Sequence, residues 1–237
     1  MLGLALLGAA VSSLAQGTGA PGVNPKDNIT KGEFFLKTDR LASGVSLQAV
    51  AVKYDRAFNA QSGANIEIPW VRLSTPGVVS SGLGDIAMRL RYVASSGPWS
   101  VISAVEVVAP TARQDALGSG KWQINPAIGA VYAFSQTTFG YAGYRHVLSV
   151  AGDRQRPDIS DMQPRALLVH VWPQGHWAMA DLKYTRSLKG SQSETLDLEA
   201  EAGTMLSADI GVWLRIGTSR LDSPRRGSVL FGLRQLW

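Results

Sequence analysis

The sequence predicts an all-β fold, a transmembrane antiparallel up-and-down β-barrel of about twelve strands with ten as the alternative count. Three observations carry that expectation. Apolar residues recur at every second position through almost all of the chain beyond residue 31, helical periodicity is sustained nowhere, and short connections alternate with long ones. Composition agrees: charged residues make up 17% of the 237, against roughly 25% in an average soluble chain, while glycine reaches 25 copies and tryptophan seven. No run of about 18 apolar residues free of charge follows the N-terminal stretch, which excludes a bundle of membrane-crossing helices. There is no cysteine, so no disulfide chemistry is available.

The N-terminal "MLGLALLGAAVSSLAQG" reads as a secretory signal over residues 1–15. It has an apolar core, then Ser13 and Ala15 as the small residues before a cut near Gln16, although no Lys or Arg precedes the apolar stretch. Residues 16–31 read as a flexible segment, and 32–237 as the barrel. Strands are expected near 32–39, 44–57, 63–74, 83–94, 98–109, 121–134, 137–149, 162–173, 176–187, 192–205, 207–217 and 228–237. The connections "SSG" at 95–97, "SQ" at 135–136, "PQG" at 173–175 and the step near Ser207 are short. "STPGVVSSG", "PTARQDALGSG", "AGDRQRPDISD" and "TSRLDSPRRG" are long. Barrels with one end at the periplasm and the other outside alternate in this way, and with both termini on the short-turn side the strand number is even.

Aromatic residues gather beside the short turns: Trp99 after one, Trp172 and Trp177 around another, and Tyr132, Phe134, Phe139 and Tyr141 around a third. They read as the girdle of rings at headgroup level. The chain closes on "GSVLFGLRQLW", where Val229, Phe231, Leu233 and Trp237 share an apolar face broken at Gln235. Phe231, Leu233 and Trp237 are therefore the expected barrel-closing and assembly signal.

If the apolar face of each strand meets lipid, the other face lines the lumen. In "TLDLEAEAG" this sends Asp197, Glu199 and Glu201 inward; the strand before contributes Asp181, Lys183 and Thr185, and the strand after Arg215, with Asp209 at its start. In "GDIAMRLRYV" it sends Asp85, Arg89 and Arg91 inward, beside Glu67 and Glu106 of adjacent strands, and Arg234 joins them from the last strand. A mid-bilayer Arg or Lys facing lipid costs roughly 2–4 kcal/mol, so this shared parity argues for a polar interior. The charges read either as a constriction that sets solute preference or as ion pairs that fill a narrow barrel.

Catalytic chemistry finds little support. His146 and Ser149 in "YRHVLS" fall on opposite faces of a strand, His170 shares parity with Leu168 and Trp172, and His176 lies beside a short turn. No metal-ligand spacing occurs. "GLGDIA" and "GSGK" lack the strand-to-helix context of a phosphate loop, so no catalytic residue, metal or cofactor is expected. The net charge of +5 is spread over single Lys and Arg residues, the tightest group being Arg225 and Arg226 in a turn, which argues against nucleic acid. Lipopolysaccharide phosphates are the expected anions for such loop arginines.

"GLGDIAMRLRY", "VEVVAPTARQDALGSGKWQINPAIGAVY", "FGYAGYRHVLSVAGDRQRPDIS" and "PQGHWAMADLKYTRSLKG" are similar to the outer-membrane transporter family labelled as belonging to the meta pathway of phenol degradation. The resemblance covers residues 80–237, with "NPA" where the family has a "GPA"-like piece. It implies an outer-membrane barrel passing hydrophobic or aromatic small molecules, and it carries over no functional residues. The expectation is a passive, non-enzymatic channel in a bacterial outer membrane. Its expected partners are lipid and lipopolysaccharide, the barrel assembly machinery and a small-molecule solute. A lipid-modifying barrel enzyme and a closed structural barrel are the alternatives.

Overall fold

The computed structural model describes residues 19–190 and 192–237, so the expected signal over 1–15 lies outside the described residues. Period-two alternation yields strands in order: β1 Lys31–Leu41, β2 Ser46–Ala57, β3 Ser62–Thr75, β4 Val78–Leu83, β5 Ile86–Ser96, β6 Trp99–Ala109, β7 Lys121–Ala133, β8 Thr138–Gly152, β9 Ser160–Val171, β10 His176–Ser187, β11 Glu194–Met205, β12 Ile210–Leu221 and β13 Arg225–Leu236. β4 and β5 pair in turn with the two halves of β3, Trp70 opposite Leu83 and Glu67 opposite Ala87. They are one stave interrupted at Gly84 and Asp85. Twelve antiparallel staves result, each beside its sequence neighbour, and β1 closes the sheet on β13 from Lys31 opposite Leu236 to Arg40 opposite Gly227. A closed sheet leaves no edge with unpaired amides, which is what permits it to stand in lipid.

The expectation of twelve strands is borne out, and the difference lies on the long-connection side. β12 runs on to Leu221 and β13 begins at Arg225, so only 222–224 connect them, and β3 turns into β4 at 76–77. Continuing the ladder satisfies backbone groups that an open loop would leave to water. The longest connections at that end are 110–120, with a 3-10 turn at Asp115–Leu117, and 153–159, beside the shorter 42–45 and 188–193.

Outward side chains such as Val52, Leu90, Ile128, Leu168, Ile216 and Phe231 stand exposed around the whole circumference. A band of that extent is unfavourable in water and required against acyl chains. Part of the aromatic girdle stands at the short-turn end: Trp99 meets Tyr132 with ring centroids 4.6 Å apart, Tyr132 meets Phe134 at 5.1 Å, and His170 meets Trp172 at 4.5 Å. Phe139, Tyr141 and Trp177 depart from the expectation and point inward. Their parity explains it, because steps of two lead from Trp177 to Asp181 and from Tyr141 to Arg145.

The inward rings lie flat on glycines. An added Cβ on Gly203 would come within 2.2 Å of the Trp177 ring, one on Gly232 within 2.1 Å of Trp213, and one on Gly143 within 2.0 Å of the Tyr141 hydroxyl. Glycine is thus needed beneath each ring, across the strand pair for Trp177 and Trp213 and two residues along the same strand for Tyr141, and part of the high glycine count has this packing reason.

Candidate functional site

The barrel encloses a cavity of about 660 Å³, lined by the inward positions of the staves and by the N-terminal segment. Strand register builds its charge network. Glu106 stands opposite Arg89 across β5 and β6, Arg215 opposite Glu201 across β11 and β12, and Arg234 opposite Glu33 across β13 and β1. Each pair is hydrogen-bonded: Arg89 donates to Glu106, Arg215 Nη2 reaches Glu201 Oε2 at 2.7 Å, and Arg234 Nε reaches Glu33 Oε1 at 2.8 Å. Further contacts extend the pairs into separate clusters around Glu106, around Asp181 and Arg215, and around Glu33. Arg145 takes the second oxygen of Glu106 at 3.0 Å, Arg165 is paired with Asp181, and Asp181 lies 3.8 Å from Arg215. At the long-loop end Arg225 reaches Asp197 at 2.8 Å and Glu199 at 2.9 Å, while Lys183 reaches Asp197 at 2.9 Å. Cross-strand opposite-charge pairs of this kind hold register as well as filling the interior.

Of the expected lumen residues, Glu67, Arg89, Arg91, Asp181, Lys183, Asp197, Glu199, Glu201, Arg215 and Arg234 line the cavity. Glu106 stands behind Arg89 and Arg145 at the wall. Asp85 is placed differently. Its carboxylate accepts hydrogen bonds from the Ser119 amide at 2.6 Å, the Ser119 hydroxyl at 2.8 Å and the Ala112 amide at 3.3 Å, so it fastens loop 110–120 across the break between β4 and β5. Arg225 also departs from the reading of it as a loop arginine, because β13 begins there and turns its side chain inward. Sequence reasoning passed over Lys31, Glu33, Lys53 and Asp55 on β1 and β2, and Arg145 and Arg165 on β8 and β9. Each lies two residues from another inward position, so the same alternation carried the signal.

Residues 19–30, expected to be loose, cross the short-turn end of the lumen. Gly19 is packed on the β9–β10 turn, where an added Cβ would lie 2.6 Å from the Pro173 carbonyl. Ala20 is fully buried among Val131, Phe139, Val169, Val171, Trp177 and Trp213. At the other end of the segment, Asn28 Nδ2 donates to the carbonyls of Asn59 and Ser62 beside the β2–β3 turn, both at 2.5 Å. Six staves separate the two turns in a barrel of twelve, so a segment touching both spans the mouth. Arg91 clamps it from β5, donating to Asn28 Oδ1 from Nε at 3.1 Å and from Nη2 at 2.9 Å, to the Pro25 carbonyl at 3.3 Å, and to the Asp27 carbonyl. Lys31 adds a bond to the Gly22 carbonyl at 3.2 Å.

His146 meets not Ser149 but Ser160 on the neighbouring strand, with Nε2 3.1 Å from Oγ and Nδ1 2.8 Å from the Tyr144 hydroxyl. Ser160 is buried, and the ring is oriented by a phenol where a nucleophile's base would have a carboxylate or carbonyl. Among the described residues no group of three His, Asp or Glu is placed to hold a metal.

No family model matches the chain, and no curated protein matches it in sequence. Solved structures do share its fold. An outer membrane channel from Pseudomonas putida F1 superposes with a TM-score of 0.75 at 12% identity, over 89% of this chain and 96% of that one. The NanC porin gives 0.65 at 9% identity over 88% and 99%, and the KdgM porin 0.57 at 8% over 86% and 99%. At such identities the likeness is one of architecture. The chain is built as an outer-membrane β-barrel.

Proposed function

We propose that the protein is a passive channel of a bacterial outer membrane for small molecules, with its periplasmic mouth occupied by residues 19–30. The observation that carries this reading is a charged, polar cavity inside a closed barrel whose outer surface is apolar. Lining a lumen with ionised groups serves permeation, whereas a purely structural barrel of this width is stabilised as well by apolar filling. The lining is also partly apolar, through Phe35, Ile102, Leu167, Met179 and Leu230, which supports solutes with a hydrophobic or aromatic body. Lipid and lipopolysaccharide surround the barrel in this reading. Phe231, Leu233 and Trp237, outward on the closing strand, are the residues offered to the assembly machinery.

The test is single-channel recording of the purified, detergent-folded protein in a planar bilayer with two salts. Discrete openings with a reproducible conductance support the reading, and silence from protein shown to be folded refutes it. The His146–Ser160 pair is the one feature that favours a lipid-hydrolase reading, and the burial of Ser160 weighs against it.

A further inference from the structure

The charges of the lumen are not distributed evenly in depth. Arg89, Arg145 and Arg165 have side chains 36%, 35% and 40% exposed, while the carboxylates that hold them, Glu106 and Asp181, are only 10% and 4% exposed. Chain length is the cause. An Asp or Glu ends close to the wall, and the longer guanidinium side chain bends over it and ends toward the space. Each ion pair is therefore a dipole with its positive end in the cavity, and in a water-filled space with low-dielectric walls such dipoles add.

These three arginines surround a recess with a floor of small residues. Glu106 ties Arg89 and Arg145 together by its two oxygens, and Arg165 stands opposite Gly143 on the next strand. Ala104, Ala127, Gly129 and Gly143 form the floor between β6 and β8, with Ala104 opposite Ala127, Ala127 opposite Arg145 and Gly129 opposite Gly143. The Tyr141 ring lies over Gly129 and Gly143, which brings its hydroxyl beside Arg165. Ile102 and Leu167 adjoin the recess on its short-turn side, two residues from Ala104 and Arg165. Glu67 faces the same space from β3, and among the described residues it forms no ion pair, Lys53 and Arg89 being held by Glu33, Asp55 and Glu106.

We infer that this recess is a binding station for the carboxylate of a small organic anion, with the anion's apolar body against Tyr141, Ile102 and Leu167. Guanidinium groups suit a carboxylate because they donate two parallel hydrogen bonds, and arginines already anchored by Glu106, Gln163 and Asp181 lose little freedom on doing so. This assignment rests on the channel reading for its biological use, but the site is testable without flux.

The experiment is calorimetric titration of the detergent-folded full chain with sodium benzoate, and with benzyl alcohol as an uncharged molecule of similar shape. The result expected is saturable benzoate binding, at least about tenfold tighter than benzyl alcohol, weakened by about tenfold or more in Arg145→Gln. Arg145→Gln is a fair test of a folded protein, because Glu106 keeps Arg89 and Asn125 as partners. Arg165→Lys is the second variant: it retains charge, loses the planar fork and is expected to weaken benzoate without affecting benzyl alcohol. Equal affinity for the two probes, or benzoate binding untouched by both variants, overturns the inference. Binding by a protein silent in bilayers would refute the channel and leave the station standing, and conduction without benzoate binding would do the reverse.

Discussion

Loosening the segment across the short-turn mouth is the perturbation whose size follows most directly from the geometry. Arg91→Ala removes four hydrogen bonds to residues 25, 27 and 28, while the bonds from Lys31 and Asn28 and the burial of Ala20 remain. Water reaches the freed carbonyls once the guanidinium is gone, so the loss is nearer the net than the gross value of a hydrogen bond. At about 0.5–1 kcal/mol each, the closed position loses about 2–4 kcal/mol and the displaced population rises about 30- to 900-fold. The chain has no cysteine, so Ala20→Cys supplies a single thiol at a position that is fully buried while the segment is seated. Its rate of reaction with a small maleimide then reports the displaced population. The predicted outcome is a labelling rate at least about tenfold faster in the Arg91→Ala background, given that opening is fast relative to reaction. Equal rates in the two backgrounds would refute the reasoning that Arg91 holds the segment in place.

Other expectations are checked more simply. Gly203→Ala drives a methyl group to within 2.2 Å of the Trp177 ring, and overpacking of that kind costs about 1–3 kcal/mol, read as a lower urea midpoint of the folded barrel. Deleting Trp237 removes a hydrogen bond from its backbone N–H to the Thr30 carbonyl at 3.1 Å and a ring that covers Gly32 and meets Tyr54 at 5.9 Å, at the seam where β1 joins β13. The folded, heat-modifiable fraction in outer membranes is expected to fall, and an unchanged fraction would remove this account of the terminus. Asp85→Ala is expected to leave the barrel folded and to make loop 110–120 markedly more sensitive to protease, since three hydrogen bonds to that loop are lost. Purified protein is expected to release no fatty acid from phospholipid, and release abolished by Ser160→Ala would instead establish a lipid hydrolase.

Much of the architecture was legible because lipid enforces a simple code. A charge on the outer face is costly, so Asp197, Glu199 and Glu201 could be sent inward from alternation alone, and register then brought them to Arg215 and Arg225. The code weakened where a strand's inward face carries few charges. Arg145 follows Tyr141 and Gly143 on that face, and a ring and a glycine do not announce a lumen. Phe139, Tyr141 and Trp177 were misread for a related reason. Proximity to a turn says how far along the barrel a ring lies, and only its parity says on which side. Arg225 escaped because β12 and β13 run on beyond their mutual pairing, held by β11 and β1, through a stretch whose composition resembles a loop. The crossing of the mouth by residues 19–30 has no periodic signature at all, since it depends on the β2–β3 and β9–β10 turns being opposite in the closed barrel.

Single-channel conductance of the folded protein, recorded for the natural sequence and for a variant lacking residues 19–29, tests the central claim most directly. The account predicts discrete openings in both, with a larger conductance or open probability in the shortened protein, because the segment occupying the periplasmic mouth is gone. A folded shortened barrel that passes no ions would contradict it, since the cavity between the ion pairs would then not be a path through the membrane.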